Sequence, residues 1–377
     1  MRIATCSLVA GLLMWGTAWG QVWYVAPHSS AAAGVEWAVT HHAIQDAIDA
    51  AAAAGGGEVW VAAGTYDGTR TAPVDGEAPG ALVLREGVAV YGGFSGTETS
   101  PEQRDLHARV SVIAGGRSGP GGLPAKHVVL GADDAVLDGF VVTGGDARQQ
   151  GPFDTDTGGG MLNYYASPAV RNCTFTQNGG GGIANLHADP VIERCRFLDN
   201  DGPAIYNHAS APEITFGQFE RNGGRDWASG IHNFYSDSYI AYASFHDSRG
   251  TPIINVGSAP VIKQVSAPGC SGPVMMNRSA SPRIYGTRLN PQNVESDAAS
   301  ETQFASWDPG MLAGASAQSL KQAAAVYELY SLEGTVNVTG GNTVTLRGNF
   351  GVIPAINSVA AVSSIYAVYF DQPGFSG

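Results

Sequence analysis

Three histidines, His187, His208 and His232, recur 21 and 24 residues apart in a stretch rich in glycine and tyrosine. Around them stand Tyr164, Tyr165, Tyr206, Trp227, Phe234 and Tyr235. Aromatic faces beside hydrogen-bonding groups suit stacking on sugar rings, which are apolar on their faces and hydroxylated at their edges. The bland alternative is a surface on which β-propensity alone favours Tyr and Phe. The histidines could also be read as metal ligands. They sit two, one and minus one residues from three regularly spaced asparagines, and zinc needs its ligands about 2.0–2.1 Å from one point. Side chains at such unequal offsets would not converge that closely.

Cleaving a sugar polymer takes more than rings. A hydrolase needs two carboxyl groups flanking the bond, and Asp226, Asp237 and Asp247 lie close to the ring-bearing segment. A β-eliminating lyase needs a base and a cation that neutralises the uronate. Arg225 or Arg249 could be that base, and Asp154 with Asp156 could hold calcium. The catalytic candidates are therefore Asp226, Asp237 and Arg225. No tight acidic cluster on consecutive strands accompanies them, and solvated loops account for the acids equally well.

The elements that must position these residues are set by a repeat. Asn163, Asn185, Asn207, Asn233, Asn255 and Asn277 are separated by 22, 22, 26, 22 and 22 residues. Two positions before each lies Met161, Ile183, Ile205, Ile231, Ile253 or Met275, and seven after each lies another aliphatic residue, Val170 through Ile284. Twelve after come Phe175, Phe197, Phe219 and Phe245, then Ala267 and Leu289. The four extra residues fall around Gly224 to Ser229. Short alternating runs broken by Gly, Pro, Asn and Ser are strands rather than helices. About 22 residues per unit suits a coil of three short strands, stacked at the strand spacing of about 4.8 Å. Stacking puts like side chains over like, so the asparagines form a ladder, with Asn178, Asn200 and Asn222 as a second one ended by Ser248. These asparagines are structural. Cys173 and Cys195 fall one coil apart with nearly parallel Cβ bonds, which predicts stacked buried thiols ahead of a disulfide.

The segment Gly159-Gly160-Met161-Leu162-Asn163-Tyr164, with Ser167-Pro168 and Asn172-Cys173-Thr174-Phe175, resembles the coil repeat of exported bacterial right-handed parallel β-helix proteins of the pectate-lyase-like superfamily. Trp23-Tyr24-Val25, Ile44 to Ile48 and Val59 to Tyr66 are similar to their first coil, and Tyr91 to Glu98 with Leu137-Asp138-Gly139-Phe140 extends the likeness. The resemblance implies an all-β, right-handed parallel β-helix solenoid over residues 21–290. That superfamily includes polysaccharide lyases, hydrolases and adhesins, so the fold does not settle the activity.

The ends differ from the middle. Arg2, the apolar stretch Leu8 to Trp15 and the small residues Ala18 and Gly20 read as a signal peptide over 1–20, cleaved after Gly20. It implies a secreted or outer-cell-surface protein. Ile44, Ala47, Ile48 and Ala51 fall at helical spacing, with Thr40 as N-cap and Gly55 as stop, and predict a helix that lids the first coil. Residues 291–377 lose the period and predict a small non-repeating α+β region. It comprises a helix at Ser316 to Leu332 ended by Gly334, a hairpin at Val336 to Leu346, and an uncharged apolar run at Asn357 to Phe370. This region is a cap, or an assembly segment through which the chain self-associates.

With 20 Lys plus Arg against 33 Asp plus Glu, the net charge is −13. So acidic a chain, with no basic run, is not built for nucleic acid. The reading is a β-helix that contacts a polysaccharide or cell-surface glycan through Tyr164, Tyr165, His187, Tyr206, His208, Trp227, His232, Phe234 and Tyr235. No cofactor is required, with calcium at Asp154 and Asp156 as the exception. The alternatives are a polysaccharide lyase or glycoside hydrolase, and a structural or adhesive protein assembling through its C-terminal segment.

Overall fold

The computed structural model describes residues 21–27, 37, 41–67, 81–116, 124–148, 156–223, 229–268, 270, 273–285 and 294–305, together with the strands at 332–338 and 342–348. Residues 1–20, Thr40, Asp154, Arg225, Asp226, Trp227, Leu289 and the run at 357–370 lie outside the described residues.

The repeat folds as its spacing predicts. From Met161 to His246 each coil lays one strand in each of three sheets, as Met161–Tyr164, Ala169–Arg171 and Thr174–Thr176 do before Ile183–Leu186 begins the next. The sheets have 11, 9 and 7 strands, and the pairing within all three is parallel. Across the 22-residue repeat the register runs from one coil to the next without slip: Asn163 opposes Asn185, Val170 opposes Ile192, and Phe175 opposes Phe197. A slip of one residue would turn every aliphatic side chain outward, so the buried face enforces the register.

The core is therefore columnar. Met161, Ile183, Ile205, Ile231, Ile253 and Met275 are all wholly buried. The Phe175, Phe197, Phe219 and Phe245 rings stack with centroids 5.3, 5.1 and 4.6 Å apart. Between the columns runs the asparagine ladder, each amide nitrogen donating to the next carbonyl oxygen over 2.7–2.9 Å from Asn163 to Asn277. Asn277 ends it on the hydroxyls of Ser296 and Thr302. At the other end Asn163 Oδ1 meets no donor among the described residues. The preceding coil carries Gly131 there, where a Cβ would lie 2.0 Å from that oxygen. The second ladder runs Asn178 to Asn200 to Asn222, and Asn222 then donates to the Phe197 carbonyl.

One feature of the coil is invisible in the repeat itself. Most corners of the repeat hold a non-glycine residue in the left-handed region, such as His187 (φ 51°), Arg194 (φ 52°) and Asp199 (φ 53°) in one coil, while Gly257 (φ 58°) takes the corner after Asn255. The chain leaves one sheet for the next through this kink, and the residue at the kink projects its side chain outward.

The helix Ile44–Ala53 closes the open end of the first coil, with Ile44, Ala47, Ile48 and Ala51 buried in the main core. Its N-cap is Ala43, without a side-chain cap bond, rather than Thr40. Gly55 follows its C-cap at φ 95°, as a helix stop requires. The coil also continues past Asn290. Val294–Ser296 pairs with Met275–Asn277, and Gln303–Ala305 pairs with Arg283–Tyr285, so backbone pairing outlasts the sequence period. In the C-terminal region Leu332–Val338 and Asn342–Gly348 form an antiparallel hairpin. It is longer than Val336 to Leu346, and Leu332 and Gly334 belong to its first strand instead of ending a helix. Among the described residues no helix is long and apolar enough to cross a membrane.

Candidate functional site

The strands Met161–Tyr164, Ile183–Leu186, Ile205–His208 and Ile231–Phe234 are consecutive neighbours in the nine-stranded sheet. The buried asparagine near the end of each strand leaves the residues on either side of it facing outward, because side chains alternate along a strand. The residue two after the asparagine takes the left-handed corner: Tyr165, His187, Ala209 and Tyr235, at φ 48–51°.

This geometry gathers eight of the nine predicted contact residues into one chain of touching rings. Tyr164 meets Tyr165 edge-on at 4.8 Å, and Tyr165 stacks on His187 at 4.7 Å. His187 leads to His208 at 5.8 Å, and His208 meets Phe234 at 5.2 Å and Tyr206 at 6.5 Å. Tyr206 packs edge-on against His232 at 5.4 Å, while Phe234 meets Tyr235 at 4.5 Å. Tyr164, Tyr165 and Tyr235 are 45%, 61% and 62% exposed. Trp227, the ninth, lies outside the described residues.

The face is not open throughout. Leu162, Ala184 and Leu186 point outward from the solenoid yet are buried, in a small second cluster with Ala81, Val83 and Leu130. Tyr206 packs against this cluster, so the stripe begins where the cover ends. Burial raises the Tyr206 phenol above its usual range, with the Asp156 charge adding. Burial pushes the His232 imidazole down to about 4, with Arg278 contributing in the same direction. His232 is thus a neutral ring in the wall of the stripe at physiological pH.

The candidate acids are placed differently. Asp237 is exposed in the turn after the stripe, and its Oδ1 accepts the Ala259 N–H of the following coil at 2.7 Å. Asp189 does the same for Ala211 at 2.5 Å, and Asp133 for Ser167 at 2.8 Å. Asp247 occupies a different corner, and Arg249 lies 3.6 Å from Asp199, away from the rings. Asp156 is exposed. Among the described residues no three His, Cys, Asp or Glu side chains are grouped to hold a metal ion. Among the described residues the least exposed ion pair is Arg104 with Asp138 at 3.1 Å. Arg104 lies over the Tyr91 ring, and Asn172 also donates to Asp138, so that pair is fully engaged in holding a loop to the first sheet.

A second aromatic ridge escaped the sequence reading. Phe216 and Tyr242, at the next corner of successive coils, stack at 4.8 Å while 45% and 51% exposed, and Arg194 lies over Phe216 at 5.3 Å. Their constant offset of nine residues from Asn185, Asn207 and Asn233 is the signal that would have found them.

Cys173 and Cys195 are free and buried, and burial together with the neighbouring thiol pushes Cys195 well above the ordinary thiol range. Both are inert fillers of the core.

Residues 136–249 match the family model described as "Right handed beta helix region". No curated protein sequence matches the chain. Among solved structures the chain is similar to pectin methylesterase from carrot, at 10% identity and TM-score 0.39, covering 74% of this chain and 80% of that one. It is similar also to the mannuronan C-5 epimerase AlgE6 A-module of Azotobacter vinelandii, at 14% identity and TM-score 0.30, over 69% and 84% of the two chains. A third is the tailspike protein of Acinetobacter baumannii bacteriophage Fri1, a capsular polysaccharide depolymerase, at 10% identity and TM-score 0.39, over 87% and 64%. At these scores the likenesses carry no inference about a reaction. With three parallel sheets, stacked asparagine and phenylalanine columns and the matching repeat, the chain folds as a right-handed parallel β-helix.

Proposed function

We propose that this protein, exported through the leader at 1–20, binds a polysaccharide or cell-surface glycan along the ring stripe from Tyr164 to Tyr235. The observation that carries the reading is the continuous contact of eight rings from four consecutive coils, with the most exposed tyrosines at its two ends. Tyr165 and Tyr235 stand at left-handed corners of the coil that turn their rings out of the solenoid, and both leave most of their surface in water. Four coils at about 4.8 Å per step present rings along the solenoid axis, a shape that matches a linear polymer.

Affinity electrophoresis through gels cast with neutral and acidic polysaccharides tests the proposal. At least one polymer should retard the protein. The double substitution Tyr165→Ala with Tyr235→Ala should weaken that retardation at least about tenfold while leaving the melting temperature in place. Retardation by no polymer, or by the same polymers in the double variant, would overturn it. Following polymer length in parallel separates binding from cleavage: shortening with new absorbance from unsaturated uronates means a lyase, and shortening without it a hydrolase.

A further inference from the structure

The charges around the stripe select among polymers. On the six coils from Asn163 to Asn277, the two residues flanking each asparagine and the corner residue after them include one formally charged side chain, Arg278. The rest are aromatic, aliphatic, imidazole or small. Along the adjacent turn ridge, two residues beyond the corner, stand Asp189 and Asp237, both exposed, with Asp133 on the coil before Asn163. Each uses its Oδ1 on a backbone N–H of the next coil, which fixes the carboxylate beside the stripe. Asp156 lies near Tyr206 and adds to its field. The whole chain carries −13.

We infer that the stripe takes uncharged polysaccharides, and that Asp189 and Asp237 are specificity-determining residues that exclude polyanions. The inference rests on the glycan-binding reading of the same stripe. A polymer lying over the rings runs parallel to the aspartate ridge, so a uronate or sulfated chain meets the fixed carboxylates along its length, and among the described flanking and corner residues only Arg278 offsets them. In water, like charges about 7 Å apart disfavour binding by about threefold each, and two by roughly tenfold. Salt screens the effect.

The test uses polymer pairs that share a backbone and differ in charge: hydroxyethyl cellulose against carboxymethyl cellulose, and fully methyl-esterified pectin against polygalacturonate. Binding is read by intrinsic fluorescence at low and high salt, for the native chain and for Asp189→Asn with Asp237→Asn. Asparagine keeps the Oδ1 acceptor, so the turns retain their bonds, and an unchanged melting temperature verifies this. The neutral member of a bound pair should bind about tenfold more tightly at low salt, with the preference shrinking in high salt and in the double variant. An anionic member bound as tightly as its neutral partner, or a preference unmoved by the double substitution, would overturn the inference and leave the stripe reading intact. Binding to neither member of either pair would count against both.

Discussion

Asn207 sits at the middle of the long ladder, accepting from Asn185 at 2.7 Å and donating to Asn233 at 2.8 Å. Leucine at that position would leave the buried Asn185 amide donor without its acceptor and Asn233 Oδ1 with only the Ser238 hydroxyl, in a site from which water is excluded. Asn207→Leu should therefore destabilise the fold by about 1–3 kcal/mol, read from chemical unfolding. An unchanged midpoint would remove the ladder from the energetics. The buried histidines make a second prediction at this scale. His127 is wholly buried, with its Nδ1 hydrogen-bonded to the Gly158 carbonyl, and burial pushes its pKa down to about 4, as for His232. Well above pH 6.5 both are neutral folded or unfolded, and neither contributes. As pH falls from 6.5 toward 4, the unfolded chain takes up protons that the folded chain refuses, so stability drops, and the loss is complete once the folded imidazoles also protonate. For His127 that loss is about 3 kcal/mol. Unfolding measured across this range should show the decline, and His232→Gln should make it shallower; a flat profile would contradict the burial of these rings.

At the scale of elements, the N-terminal helix does more than cover apolar surface. Gln45, on its buried face, donates from its amide to the Val83 carbonyl at 3.1 Å and accepts the Val83 N–H at 2.8 Å. Leu82–Val83 is the first strand of the nine-stranded sheet, and its outer edge would otherwise present unpaired peptide groups. The glutamine side chain is thus a one-residue substitute for the missing strand. Asp49 holds the same amide and pairs with Arg85 at 2.9 Å, tying helix to sheet edge. Gln45→Ala should cost about 1–3 kcal/mol and speed hydrogen exchange at the Val83 amide. Exchange as slow as in the native chain would mean that another group closes this edge.

At the scale of the molecule, a solenoid has two ends, and each must be managed. The helix manages the first. At the second, Val294–Ser296 and Gln303–Ala305 are the last strands of their sheets. Residues beyond Ala305 are the candidate for self-association, since strand edges invite pairing with another chain. In sedimentation velocity the chain from Gln21 to Gly377 should travel as an oligomer, and truncation after Ala305 should return it to a monomer. A monomeric full-length chain would leave the C-terminal region as a cap. The pairing that persists to Ala305 moves the truncation point fifteen residues beyond Asn290, where the sequence period ends.

The sequence by itself determined the coil. A repeat that superposes aliphatic, asparagine and phenylalanine positions every 22 residues leaves one arrangement that buries the first, pairs the second and stacks the third. The register, the three sheets and both ladders follow from it. It also placed the rings on one side, because alternation along a strand fixes which neighbours of a buried asparagine face outward. Only the tertiary structure decided which outward positions are open: Leu162, Ala184 and Leu186 share a strand register with Tyr206 and His208, yet a second apolar cluster covers them. Cover of that kind comes from segments outside the repeat, to which periodicity is blind. The left-handed corners were hidden for a related reason. A kink is a property of backbone closure, and residues as different as His187, Ala209 and Tyr235 occupy it without a common side-chain signature. Asp237 shows the same distinction, since its type suggested catalysis and only the fold shows its Oδ1 bonded to the Ala259 amide in a turn beside the rings.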